Sequence, residues 1–397
     1  TLGYQPRAYA PGYQIPEKIL SYTASAQQQL PGGAVLTVAY VGSQGRNLFL
    51  RSITNKIIGV TQDPKTGVGK AIREFGDRFA EIDYKTSGGT DHYDSMQTTL
   101  NRRFATGLSV AAQYTWGHSI GDTAGSNEAN TAGNPYDFGA DRGNNNFDIR
   151  QSFNFTTLYQ LPFGHGKRFG NSLSKPVDML FGGWQLGGVI NARSGVPMDV
   201  LIIRPDIAYA DTRDGRIYAS PVLGTDGTIY TVPVVNTPGG GASRNIRRPN
   251  VVAGVNPYLD HGRSVINPAA FSVPAAGAFG NSARNSLSGP SLAQLDLTIN
   301  KRFNLSERFN LEFRGEIYNL FNHANFANPA NLRLSQGLPA GGTFAGGIVP
   351  VGSSIQPGQA FSTANAGGNF GVMTSTVSNQ IGLGTNRQIQ LALRLNF

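Results

Sequence analysis

Period-2 alternation of apolar and polar side chains dominates this chain almost to the exclusion of any other pattern. Leu20, Tyr22, Ala24 and Ala26 share one side of a strand, with Ser21, Thr23, Ser25 and Gln27 on the other. Leu36, Val38 and Tyr40 repeat the pattern after Pro-Gly-Gly at 31–33. Runs of the same kind begin near Ser95, Leu108, Ser152, Trp184, Leu295, Phe309 and Ile389, and the last ends at Phe397. About nine strands result, each near the roughly 9–11 residues that a tilted strand needs to cross a bilayer. A soluble sandwich alternates in the same way, so the pattern fixes β structure and leaves the solvent open.

The connections constrain it further. Turns at 31–33, 105–107 and 304–308 are tight and the one at 162–183 is moderate. Those at 50–90, 120–146, 203–290 and 328–386 are long, polar and rich in Gly, Asn and Pro. Long and short connections alternate strictly, which puts every long one at the same end of the sheet. Compact soluble domains seldom carry structureless loops above about 15 residues. Outer-membrane barrels pair short periplasmic turns with long external loops. Many of the aromatics, among them Tyr40, Phe104, Tyr114, Trp116, Tyr159, Trp184, Phe303 and Phe309, fall near strand ends, where an interfacial girdle would hold them.

Composition agrees with a polar, uncharged, turn-rich chain. Hydrophobic residues make up 39% and charged residues 14%, while glycine reaches 51 of 397. Aromatics at 10% argue against disorder. With no cysteine, disulfides and cysteine-based metal or redox sites are excluded. The net charge of +9 is scattered singly or in pairs such as Arg102-Arg103 and Arg247-Arg248, so no phosphate-tracking stripe forms and no nucleic-acid partner is expected. A diffuse positive field suits an anionic lipid surface or solute better. No run of 18 apolar residues predicts a transmembrane helix, and no signal peptide is read in TLGYQPRAYAPGYQ, which leads us to expect either a cytoplasmic protein or a chain whose start is missing.

The segments YDSMQTTLNRRFATGLSVAAQYTWGHSI, FDIRQSFNFTTLYQLPFG, GGWQLGGVINARSGVPM, EFRGEIYNLFNHANF and RQIQLALRLNF resemble, in order, the C-terminal part of TonB-dependent outer-membrane receptors, most closely the Oar-like branch. The likeness spans nearly the whole chain. It implies an all-β fold, an antiparallel up-and-down transmembrane β-barrel segment of about nine strands with long external loops, forming a single domain over 1–397. The family's complete barrel, its N-terminal plug and its TonB box lead us to expect a C-terminal portion of a longer receptor. An odd strand number points the same way, because single-chain bacterial barrels have even counts. The resemblance also implies a cell outer membrane location and four partners: outer-membrane lipid, the barrel assembly machinery, the TonB system through the plug, and a ligand whose identity the sequence does not name. Terminal Phe397, with apolar residues at alternate positions before it, resembles the assembly signal of outer-membrane proteins. The rival expectation is a structural or adhesive secreted β-sheet protein.

Several motifs compete with that reading. GHSIG at 117–121 fits the nucleophile-elbow pattern, but no helix can follow in the Gly- and Asn-rich stretch downstream, and strand parity puts Ser119 and His118 on opposite faces. Neither enzymatic activity nor a cofactor is expected. GVGK at 67–70 and GHGK at 164–167 lack the first glycine and the final Ser or Thr of a phosphate-binding loop. The five histidines have no ligand spacing. Asp137, Asp141 and Asn144 to Asn146 offer hard oxygens for Ca²⁺ without a regular ligand order, so a solvated external loop is expected there. Asp296, Arg302, Glu312, Arg314, Glu316 and Arg394 share the polar face. They are the lumen-facing candidates, either contacting plug or solute or forming a salt-bridged lining.

Overall fold

The computed structural model describes residues 5–13, 17–103, 107–123, 132–237, 247–259, 262–306, 309–345, 355–378 and 383–397. Nine long strands follow one another in a single antiparallel meander: β1 Lys18–Leu30, β2 Ala34–Thr54, β3 Ile82–Arg103, β4 Leu108–Gly121, β5 Gln151–Gln160, β6 Trp184–Arg193, β7 Leu292–Asn304, β8 Asn310–Tyr318 and β9 Gln388–Asn396. Each pairs with its sequence neighbour, so the up-and-down order read from the alternation is the order in space. Two short strands join the side of the sheet, Arg7–Tyr9 parallel to β3 and Gly143–Asn144 against the end of β4. Among the described residues β1 and β9 do not pair with each other, and the sheet stays open. Expected positions Phe104, His261 and parts of the turns at 105–107 and 304–308 lie outside the described residues.

Local chemistry explains the hairpins and the register. Gly32 and Gly33 both have positive φ, 78° and 74°, a region that glycine enters without strain, and with Pro31 they close the three-residue turn between β1 and β2. Gly42 lies opposite Tyr22, and a Cβ there would meet the Tyr22 ring at 2.2 Å. Glycine thus lets the ring lie across the neighbouring strand and cover its bare backbone.

Register places the apolar residues of successive strands side by side: Leu186, Ile299 and Leu391 lie on one face with Trp116, Phe153 and Ile190. Over most of its extent that face is uncovered. Ile389, Leu391, Leu393 and Leu395 are between 52% and 72% exposed, and Phe397 is 94% exposed. A sandwich would have packed a second sheet against it. From Leu108 to Trp116 on β4 the apolar parity spans nine residues, roughly 26 Å along the strand at about 3.3 Å per step, or about 20 Å of height at a tilt of about 40°, most of the roughly 25 Å band that meets lipid in membrane barrels.

The buried core lies elsewhere, in the long connections. Met198, Val200, Ile202, Ile266, Phe271, Val273, Leu287, Leu334, Phe361 and Phe370 form one core, and Tyr209, Tyr218 and Val222 a second. Short strands from different connections hold them together: Leu201–Ile203 runs parallel to Arg333–Ser335, and Val222–Gly224 parallel to Gly342–Phe344. This corrects the expectation of structureless polar loops. The connection expected at 50–90 is also shorter, because β2 and β3 stay paired through a bulge beyond Gly45 and reach Thr54 and Ile82. Within it, Ile57–Gln62 pairs with Gly69–Arg73, and the Gln62 side chain donates to the Thr231 carbonyl at 2.8 Å. The long connections therefore form a folded cap over one end of the sheet. The opposite end carries the short turns and one helix, α1 Lys175–Phe181.

Candidate functional site: the polar face and its cap

The polar face of the sheet presents all six charged candidates in one register. Arg302 lies opposite Glu312, Glu312 opposite Arg394, and Glu316 opposite Thr298 and Gln390. Arg314 and Glu316, two apart on β8, form an ion pair. Arg302, Glu312 and Arg394 make no ion pair with any described residue, so the salt-bridged lining is only partly present. Asp296 has a different task. Its carboxylate accepts from the Asn319 backbone at 2.8 Å and from the Gln294 side chain at 2.7 Å, and buried Gln294 in turn accepts from Gly384 N at 2.7 Å. Asp296 thus ties the cap to the polar face.

A second tie runs through GHSIG, which lies wholly within β4 rather than at its exit. Ser119 is buried, and its Oγ accepts from the Asn145 amide at 2.7 Å while its backbone N–H donates to Asp148 at 2.7 Å. His118 points to the other face and meets Asn144 Oδ1 at 3.0 Å. The two side chains that a catalytic pair would need are therefore occupied separately.

The segment with the proposed Ca²⁺ oxygens is not a solvated loop where it is described. Asp141 is buried and receives Arg248 Nη1 at 2.6 Å. Arg248, also buried, reaches Asp199 at 3.1 Å. Arg284 donates to the carbonyls of Gly121 and Asp122, and Asn285 to the Asn144 carbonyl at 2.8 Å. Burial raises the Asp199 carboxyl above its ordinary value although the Arg248 charge opposes it. Burial lowers the Arg284 guanidinium, and it lowers that of Arg204 to about 10, with Arg247 adding to the effect. Arg204 is held by the Pro274, Ala275 and Ala278 carbonyls and by Asn236 and Gln336. Of the basic pair Arg247-Arg248, Arg247 is matched by Asp206 at 2.7 Å. Among the described residues no group of three or more His, Asp or Glu is arranged to hold a metal ion.

Three cavities mark where a solute could rest. One of about 600 Å³ opens on the polar face directly below the cap, lined by Ser43, Asp91, Tyr93, Thr115, Ser119 and Phe147 among others. Another, about 460 Å³, lies at the short-turn end between Gln185, Asn300, Arg302, Asn310 and Glu312. The third, about 480 Å³, is an aromatic recess in the cap, walled by Phe75, Phe79, Tyr84, Pro135 and Tyr136. The Tyr136 hydroxyl donates to Glu74 at 2.8 Å, and Lys56 Nζ sits 3.9 Å from its ring centre. Burial pushes that hydroxyl up to about 12.

A family described as the outer membrane beta barrel domain matches residues 1–390. The chain belongs to that family. No curated protein matches it significantly. For an outer membrane β-barrel the uncovered apolar face is the lipid face and the polar face is the interior one, which places the protein in the outer membrane. No described helix is long and apolar enough to cross a membrane, and the crossing is made by strands. Parity alone found the polar-face charges. It missed the cap network, because Asp141, Arg248, Asp199 and Arg284 come from distant segments and their pairing carries no sequence period.

Proposed function

We infer that this outer membrane β-barrel is the barrel portion of a TonB-dependent receptor of the Oar-like branch, taking up a solute or binding one at the cell surface. The observation that carries the reading is the folded cap: the long connections bury their own cores and hold an aromatic recess above a polar-face cavity, an arrangement suited to selecting a ligand before passage. An open diffusion pore has no need of such a cap. On this reading energy reaches the barrel through a plug engaged by TonB, Arg302, Glu312 and Arg394 are interior charges that meet plug or solute, and Phe397 serves the barrel assembly machinery. The protein is a binder and carrier rather than a catalyst.

The test is uptake and surface binding of a solute panel by cells with and without the gene, each with and without a protonophore. Gene-dependent uptake that stops when the proton gradient collapses supports the reading. Gene-dependent uptake that persists without the gradient would refute energy coupling and leave a passive barrel.

A further inference from the structure

The short-turn end carries an exposed apolar element that neither the interior nor the cap uses. Between β5 and β6 the chain makes a turn and then α1, and Phe163, Phe169, Val177, Met179, Leu180 and Phe181 are 37% to 64% exposed. Val177, Leu180 and Phe181 fall on one side of α1 by the i, i+3, i+4 rule. Asp178 turns away and accepts from the His165 backbone at 2.6 Å. Arg168 and Lys175 are exposed around the same element, while Lys167 lines the cavity on the polar face at this end.

What fixes its position is a pair of side chains from the lipid face. Trp184 and Lys301 lie opposite one another across β6 and β7, on the apolar side. The Trp184 indole donates to the Leu180 carbonyl at 3.0 Å. Lys301 Nζ donates to the carbonyls of Leu180 and Gly182 and lies 5.2 Å from the ring centres of both Trp184 and Phe303. Lys301 is the one cation in the apolar row of β7, and it is buried by this contact. The end of α1 is therefore clamped to the outside of the sheet, continuous with the lipid face at the level of Phe303, Phe309 and Phe397.

The geometry points to a membrane-docking element: the segment 163–181 lies in the headgroup region of the periplasmic leaflet, with Phe163, Phe169, Leu180 and Phe181 in the acyl boundary and Arg168 and Lys175 on anionic phospholipid. A short amphipathic element with aromatic and leucine side chains on one side and basic ones beside them has the chemistry of an interfacial anchor. The anchor sets how deep β6 and β7 sit, and Lys301 is satisfied by helix carbonyls instead of being left bare in lipid. This inference rests on membership of the barrel family and not on a transport role.

Because the chain has no cysteine, single labels report cleanly. The full chain with Phe181→Cys, Leu391→Cys or Thr225→Cys is spin-labelled, reconstituted in phosphatidylethanolamine vesicles containing phosphatidylglycerol, and compared for collision with oxygen and with a water-soluble nickel chelate. Leu391 is the lipid-exposed reference and Thr225, in the cap, the aqueous one. The label at 181 should shift to the oxygen-rich, nickel-poor behaviour of the label at 391. Behaviour like that at 225, or poor access to both reagents as under a protein partner, would overturn the proposal. Combining Arg168→Gln and Lys175→Gln should remove any deepening that phosphatidylglycerol gives. A label depth indifferent to phosphatidylglycerol in the parent chain would overturn the basic half of it.

Discussion

Replacing Arg248 by alanine removes a cation that serves two carboxylates inside the cap. Arg248 and Asp141 are 7% and 4% exposed at their side chains and 2.6 Å apart, and Asp199 at 17% lies 3.1 Å away. Breaking a buried pair from one side leaves an uncompensated charge and costs about 3–5 kcal/mol. At about 1.4 kcal/mol per tenfold, that raises the open population of the cap by roughly 2 to 3.5 decades. Amide hydrogen exchange reads it: Ile202, bonded to the Arg247 carbonyl, and Phe361, bonded to the Phe271 carbonyl, should exchange faster by that factor, while Ile299 in the sheet should not. The effect should depend on pH with a definite sign. A carboxyl raised above its ordinary 3.8, as Asp199 is, costs stability once the pH exceeds its folded value, and the cost fades as the pH falls towards 3.8. The variant's excess opening should therefore be largest at neutral pH and shrink on acidification, after correction for intrinsic exchange. Replacing all three residues together, by Arg248→Met, Asp141→Leu and Asp199→Leu, should come back close to the parent protein. A change below tenfold for Arg248→Ala, or equal loosening of Ile299, would refute the claim that this network holds the cap as a unit.

Other expectations concern the two faces and the recess. Leu391→Arg, on the lipid face, should cost about 2–4 kcal/mol and cut the folded yield in the membrane. Arg394→Leu, three residues on and facing the interior, should leave that yield nearly unchanged; equal losses for both would contradict the face assignment. Gly195→Ala puts a Cβ 1.8 Å from the Gly289 carbonyl oxygen, a backbone atom that cannot swing aside. It should loosen the join between cap and sheet by at least the roughly 1–3 kcal/mol of an overpacked site, seen as faster protease cleavage in the cap. Tyr136→Ala opens the aromatic recess and should weaken surface binding of whatever solute the uptake panel identifies, with the sheet's thermal stability unchanged; undiminished binding would move the ligand site elsewhere.

The alternating segments were enough to determine the nine strands, their order and their facing, because a pleated strand with one side in each of two environments writes a period of two into the sequence. Ile389, Leu391, Leu393 and Leu395 state that period as plainly as any residues in the chain, and the short and long connections state which strand ends lie together. Whether the apolar side met another sheet or nothing was decided only in three dimensions, by the uncovered row from Ile389 to Phe397. The cap was decided there too. Its cores join residues as far apart as Val200, Ile266 and Phe361, and its polar links join Asp141 to Arg248 and Ser119 to Asn145, pairings set by chain closure rather than by local spacing. Glycine and asparagine made these segments look like solvated loops, since the same residues that free a chain in water also allow tight, hydrogen-bonded turns once other segments bury them. Lys301 shows the limit most simply. In sequence it is a charge that interrupts the apolar row of a membrane strand, and only the folded chain reveals the helix carbonyls that receive it.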